Sequence, residues 1–162
     1  RAARQPHRGR MGTELMNPNA RELGELDRAQ CLQLLASVPI GRIVYTEQAL
    51  PAIQLVNFRL AKGTIVIRTA RGSKLAAAAR HAILGFEADR YDERSSTGWS
   101  VTAIGHSWVV EEPDEIAFLD TLALRPWAPG PRDHYIQISP ERLIGRQVTA
   151  TGSANLTGGT HE

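Results

Sequence analysis

From Leu26 onward the apolar positions first fall three and four residues apart and then, beyond Pro39, two apart. The first period predicts an amphipathic helix, with Cys31, Leu34, Leu35 and Val38 on one face. Asp27 and Gln30 have the spacing of a capping box, Leu26 and Cys31 that of a hydrophobic staple, and Pro39 ends the element. Cys31 belongs to the apolar face, which makes it a buried thiol rather than a nucleophile. The second period predicts strands over residues 40–46, 52–60 and 64–69, rich in β-branched and aromatic side chains. Ala61-Lys62-Gly63 is a tight connection, so the last two of these pair antiparallel. A short Ala-rich helix follows from Ser73 to about Arg80. Strands are then expected over 83–89 and 99–110, with Gly105 as a bend or bulge in the longer one. Pro113 opens a helix that turns Ile116, Leu119 and Leu122 inward, and Arg125-Pro126 stops it. Residues 135–138 and 143–148 complete the strands.

The order α-β-β-β-α-β-β-α-β, with antiparallel hairpins, argues for a small β-barrel with helices outside it. Residues 1–24 lack periodicity and are expected to form an irregular leader; residues 149–162 are small and polar and are expected to form a tail. The folded domain is then 25–148, one domain in a chain of 162 residues.

Composition narrows the functional classes. No apolar run approaches the roughly 20 residues needed to span a bilayer, and no charged segment leads into a secretory apolar core, so no membrane partner and a cytoplasmic setting are expected. The single cysteine excludes an internal disulfide and a cysteine-cluster metal site. Four of the 19 basic residues lie in the first ten positions, which leaves 15 against 17 acids in residues 11–162. The basic character therefore belongs to the leader, and with only three Trp, three Tyr and three Phe no nucleic-acid partner is expected. Seventeen of the cations are Arg; Lys62 and Lys74 are the only lysines.

Candidate chemistry gathers in Ile65-Val-Ile-Arg-Thr-Ala-Arg-Gly-Ser-Lys-Leu. A strand delivers Arg68 and Thr69, a glycine turn follows, and Ser73-Lys74 open a helix. Backbone N–H groups, a hydroxyl, an ammonium and a guanidinium together suit a phosphate. Strand alternation sends Arg68 and Thr69 to opposite faces, so one phosphate reaches both only if the strand bends. The same residues also suit a capped surface helix with solvated arginines. His81, His106 and His134 lack metal-ligand spacing. Glu87 and Asp89 share a strand face without an evident partner. There is no nucleophile elbow, no P-loop and no dinucleotide-type glycine turn.

Taken with Val56-Asn-Phe-Arg at the end of one strand and Gly98-Trp-Ser-Val with Gly105-His on another, Arg68-Thr-x-x-x-Ser-Lys resembles the pyridoxamine 5′-phosphate oxidase-like, flavin-binding split-barrel family. Val38-Pro-Ile-Gly-Arg-Ile, Pro126-Trp-Ala and Ile144-Gly-Arg fit the same pattern, and the resemblance covers about residues 25–148. It implies a mainly β (α+β) fold, a six-stranded antiparallel split β-barrel with flanking helices. It also implies a homodimer with FMN at the subunit interface. Thr69, Ser73 and Lys74 would hold the phosphate with Arg68 beside them. Val56, Asn57 and Phe58 would line the ring system, largely through backbone groups. Arg59 would reach the ribityl chain or phosphate, and Trp99 and Ser100 would approach from the partner subunit. The likeness is to the broad family: the true oxidase has an extra basic residue between the Ser and Lys of its phosphate loop, and its C-terminal substrate segment is not evident here. Pyridoxamine phosphate is therefore not the implied substrate. The expected function is FMN-dependent oxidation or reduction of an unidentified small molecule. The alternatives on the same scaffold are a flavin carrier or sensor without turnover, and a split barrel that binds a deazaflavin or haem.

Overall fold

A computed structural model describes residues 21–150. In chain order these form β1 (Arg21–Leu26), α1 (Arg28–Ala36), β2 (Ile40–Glu47), β3 (Leu50–Ala61), β4 (Thr64–Thr69), α2 (Ser73–Ala79), β5 (Ile83–Asp92), β6 (Thr97–Val109), α3 (Pro113–Asp120), β7 (His134–Ile138) and β8 (Arg142–Ala150). Strands β6, β5, β2, β3, β4 and β7 are neighbours in that order, and β7 pairs again with β6 to close a six-stranded antiparallel barrel. β8 and then β1 extend the sheet outward from β6.

The inward faces of these strands supply the core. Ile43, Ile65, Ile67, Leu84, Val101, Ile136 and Ile138 are fully buried there, around Phe58 and Phe86, whose rings meet edge to face at 4.6 Å between centroids. α1 packs onto this core through Cys31 and Leu35. Its capping box forms as the sequence predicts, with Asp27 Oδ1 accepting from the Gln30 N–H at 2.8 Å and Gln30 Oε1 accepting from the Asp27 N–H at 2.9 Å. A smaller cluster of Val66, Leu119, Leu124 and Tyr135 lies on the opposite side of β4 and β7, beneath α3.

Three local features differ from the expectation. β1 begins at Arg21, inside the segment 1–24 expected to be irregular. It shows no hydrophobic alternation because it is an edge strand, held by its ladder to β8 and exposed over much of its length. At the other end β8 runs to Ala150, so Thr149 and Ala150 are strand; the rest of the expected tail lies outside the described residues. The helix from Pro113 ends at Asp120, ahead of Arg125-Pro126.

Turn chemistry explains the hairpins. Lys62 and Gly63 have φ of 48° and 78°, the left-handed pair that matches strand twist between β3 and β4. Gln48 and Ala49 adopt the same region, at 50° and 64°, without a glycine to announce it. Gly105 marks a change of partner rather than a bulge. β6 pairs with β8 up to Ile104 and with β7 from Ser107 onward. Between these ladders Gly105 lies against the Ser139 carbonyl so closely that a Cβ has no space.

Candidate functional site

The barrel is open where β3 changes partner. Residues 50–57 of β3 pair with β2, and only residues 58–61 pair with β4. β4 in turn pairs with β3 only as far as Ile67, so Arg68 and Thr69 extend beyond that ladder. The result is a cleft between residues 54–57 and the end of β4. Along an antiparallel strand alternate residues direct N–H and C=O to opposite sides. The free side of β3 therefore presents unpaired backbone donors and acceptors to this cleft.

A cavity of about 290 Å³ fills the cleft, lined by Gln54, Leu55, Val56, Asn57, Arg68, Lys74, Pro126, Ala128 and Arg132. A second, of about 140 Å³, continues from it beneath the β4–α2 turn and is lined by Gln54, Thr69, Ala70, Arg71, Gly72, Ser73, Lys74 and Arg132. The loop that follows α3 is tied across the cleft. The Trp127 N–H donates to Asn57 Oδ1 at 2.8 Å, and Arg68 Nε donates to the Arg132 carbonyl at 2.8 Å. The Arg68 guanidinium also lies 5.3 Å from the Tyr135 ring centroid.

The site is cationic, and its cations lack counter-ions. Arg42 pairs with Glu87 and Asp89, and His106 contacts Glu141 at 2.8 Å, but among the described residues no ion pair involves Arg68, Arg71, Lys74 or Arg132. Lys74 Nζ donates to Gln54 Oε1 at 2.6 Å. Its pKa is held below the usual 10.5, first by burial and then by the nearby Arg132 charge. Arg132 Nε is buried with no hydrogen-bond partner. Such an atom carries a desolvation cost of about 1–3 kcal/mol unless something accepts from it.

Of the expected site residues, Val56, Asn57, Arg68, Thr69, Ser73 and Lys74 meet at these two adjoining cavities. Arg68 lines the larger and Thr69 the smaller, the division that strand alternation predicts. Thr69 is buried and its hydroxyl donates to the Ala70 carbonyl at 3.2 Å, while the Ser73 hydroxyl donates to Tyr45 Oη at 3.2 Å. The Phe58 side chain is buried in the core, its N–H donates to the Pro39 carbonyl at 3.2 Å, and it lines neither cavity. Arg59 is exposed and lines neither cavity. Trp99 and Ser100 lie on β6, across the sheet, with Trp99 lining a separate cavity of about 490 Å³ beside the end of β8. Sequence reasoning missed Gln54, Tyr45 and above all Arg132. Arg132 lies 58 positions beyond Lys74 in an irregular Pro- and Gly-rich loop, so no periodicity or spacing connects the two.

The family model for pyridoxamine 5′-phosphate oxidase matches residues 27–147, from the cap of α1 into β8. The chain belongs to the pyridoxamine 5′-phosphate oxidase-like family. Within that family it is 39% identical over 137 residues to the uncharacterized protein Rv0080 of Mycobacterium tuberculosis, covering 82% of this chain and 90% of that one. A Corynebacterium glutamicum crystal structure provisionally named a pyridoxamine 5′-phosphate oxidase shares 37% identity at a TM-score of 0.69, over 78% of this chain and 98% of that one. A Mycobacterium smegmatis protein described as binding FAD shares 32% identity at a TM-score of 0.64, over 76% and 96%. The family span contains every residue of both cavities. No described helix is long and apolar enough to cross a membrane.

Proposed function

We propose that the chain binds FMN in the cleft between β3 and β4 and serves as an FMN-dependent oxidoreductase for a small molecule, working as a homodimer. The observation that carries this reading is a set of cations without carboxylate partners, one with an orphaned buried Nε, beside an unpaired strand edge. The residues present fit a phosphate-bearing flavin. Lys74, Ser73 and Arg132 converge on the smaller cavity and suit the phosphate, with Thr69 in its wall. Ser73 Oγ and Lys74 Nζ, set in place by Tyr45 and Gln54, and the unpartnered Arg132 Nε supply donors to anionic oxygens. Val56 and Asn57 offer the strand edge to the polar rim of a planar ring. A flavin, when bound, supplies the electron-transfer chemistry, and the protein supplies binding, orientation and electrostatics. The FAD-binding relative supports a flavin as the ligand class, since FAD contains the phosphate and ring of FMN.

The outer face of the sheet supports the dimer. Ile53 and Leu55 on β3 are each 65% exposed, and Ile83 on β5 is 62% exposed. Val44 and Ile104 lie on the same face through the ladder positions Val44↔Ile53, Val44↔Gly85 and Gly85↔Ile104. Leu55 both belongs to this face and lines the cleft, so a second copy seated there reaches the ligand site. Trp99 and Ser100 then serve the partner's site. The absorbance spectrum of freshly purified protein tests the reading. Oxidised-flavin bands, with FMN released on denaturation, are expected. A deazaflavin band or a haem Soret band would replace FMN with one of the alternatives, and flavin binding without turnover of any electron acceptor would leave a carrier or sensor.

A further inference from the structure

We infer that a second anionic group binds beside the phosphate site, in the pocket enclosed by Arg68, Arg125 and Arg132. This pocket, of about 310 Å³, lies under the loop that follows α3. Two proline rings, Pro126 and Pro131, and Gly130 form its walls, and Asp133 is the one carboxylate on its rim. Three guanidiniums against one carboxylate leave a formal surplus of two positive charges. None of the three arginines, nor Asp133, forms an ion pair among the described residues. Gathering like charges without partners raises the free energy of the empty site, and an anion relieves it.

Arg132 and Arg68 give the subsite its place relative to the rest. Arg132 lines all three cavities, and Arg68 lines both this pocket and the cleft along β3. Arg132 Nε is buried and unpartnered, so the loop holds a donor that the protein itself does not use. The Arg68 Nε–Arg132 carbonyl bond of 2.8 Å fixes the two side chains' origins together. The ligand therefore carries two acidic groups, one at Lys74–Ser73 and one under the Arg125 loop, with Arg132 between them. The second group comes either from a cofactor longer than FMN, as a second phosphate, or from an acidic substrate. This assignment rests on the flavin reading given above and shares Arg68 and Arg132 with it, but Arg125 belongs to the subsite alone.

The test compares wild type with Arg125→Ala, an exposed position whose truncation leaves the core intact. Flavin-free protein is titrated with FMN and FAD, and FMN-loaded protein with inorganic pyrophosphate. If FAD binds wild type more tightly than FMN and Arg125→Ala removes that advantage by about tenfold, the subsite holds the cofactor's second phosphate. If the two flavins bind alike and pyrophosphate binds the loaded wild type but about tenfold more weakly to the variant, the subsite holds an acidic substrate group. FMN affinity itself is expected to be unchanged in both cases. Arg125→Ala indistinguishable from wild type with FAD and with pyrophosphate overturns the inference. If wild type binds no flavin, the flavin reading fails, and pyrophosphate titrated into the flavin-free pair still decides the subsite by the same criterion.

Discussion

Lys74→Ala should weaken FMN binding without weakening the fold, and the structure sets both magnitudes. Nζ is half-buried, bonded to Gln54 Oε1 alone, and lacks a carboxylate partner. Burial and the Arg132 charge both disfavour its ammonium in the free protein. Truncation thus removes an unfavourable desolvated charge, and the melting temperature should stay level or rise slightly. Toward a phosphate the same ammonium offers a charge-assisted hydrogen bond of about 1.5–3 kcal/mol, so FMN affinity should fall roughly 10- to 150-fold. Riboflavin, which has the ring and no phosphate, should bind both proteins equally. A bound phosphate favours the ammonium and raises its pKa above the lowered free-protein value. Wild-type affinity for FMN is therefore full below that free-protein pKa and declines as pH rises through it, an effect absent from the variant. Flavin fluorescence quenching measures every quantity. Equal loss of FMN and riboflavin, or no loss of either, would refute the phosphate assignment.

Gly105→Ala should lower the melting temperature by several degrees, because its Cβ meets the Ser139 carbonyl and overpacking costs about 1–3 kcal/mol; Gly24→Ala, whose Cβ approaches only the Gln147 carbonyl at 4.0 Å, should not. Ile53→Asp should convert the proposed dimer to a monomer in light scattering and reduce flavin occupancy, and a persistent dimer would exclude this face as the interface. Tyr135, pushed up to about 12 by burial and by its hydrogen bond to Asp120, should resist tyrosinate formation. Its phenol favours the fold fully below the ordinary 10.0, and that stability is lost as pH rises from 10.0 toward about 12. Tyr135→Phe should abolish this dependence in melts across that range.

The barrel was legible because its elements carry local signals. The Asp27–Gln30 cap, the Lys62-Gly63 turn and the period-2 runs each act over a few residues, and each appears where its chemistry requires. β1 was not legible, since an exposed edge strand depends on its ladder to β8 and needs no apolar alternation of its own. The hairpin at Gln48-Ala49 escaped notice for a related reason: two non-glycine residues hold positive φ there under the demand of the flanking strands. At the site, Ser73 and Lys74 were visible because they follow a strand and a glycine turn within one short segment. Arg132 was invisible because tertiary structure alone brings its loop over the cleft, through Asn57 and Arg68.

The distribution of carboxylates separates the two surfaces that meet at Leu55. On the outer sheet face Arg42 is held between Glu87 at 2.8 Å and Asp89 at 2.7 Å, both of which raise its pKa. Those acids stand opposite Arg42 because β2 and β5 pair in register, with Arg42 facing Glu87 directly. The one cation set among Val44, Ile53 and Leu55 is thus paired, as the proposed dimer face requires, since an unpaired cation buried there would cost about 3–5 kcal/mol. Around the cleft the arrangement is reversed. The chain has 17 acids, yet among the described residues none forms an ion pair with Lys74, Arg68 or Arg132. Pairing them internally would stabilise the empty protein and would also fill the donors that a phosphate needs. Burial first, and then the Arg132 charge, lower the pKa of Lys74, and Arg132 Nε is left without a partner, a local cost that a bound anion would relieve. Binding free energy is therefore held in the strained electrostatics of the free site, and an anion that enters recovers it at once.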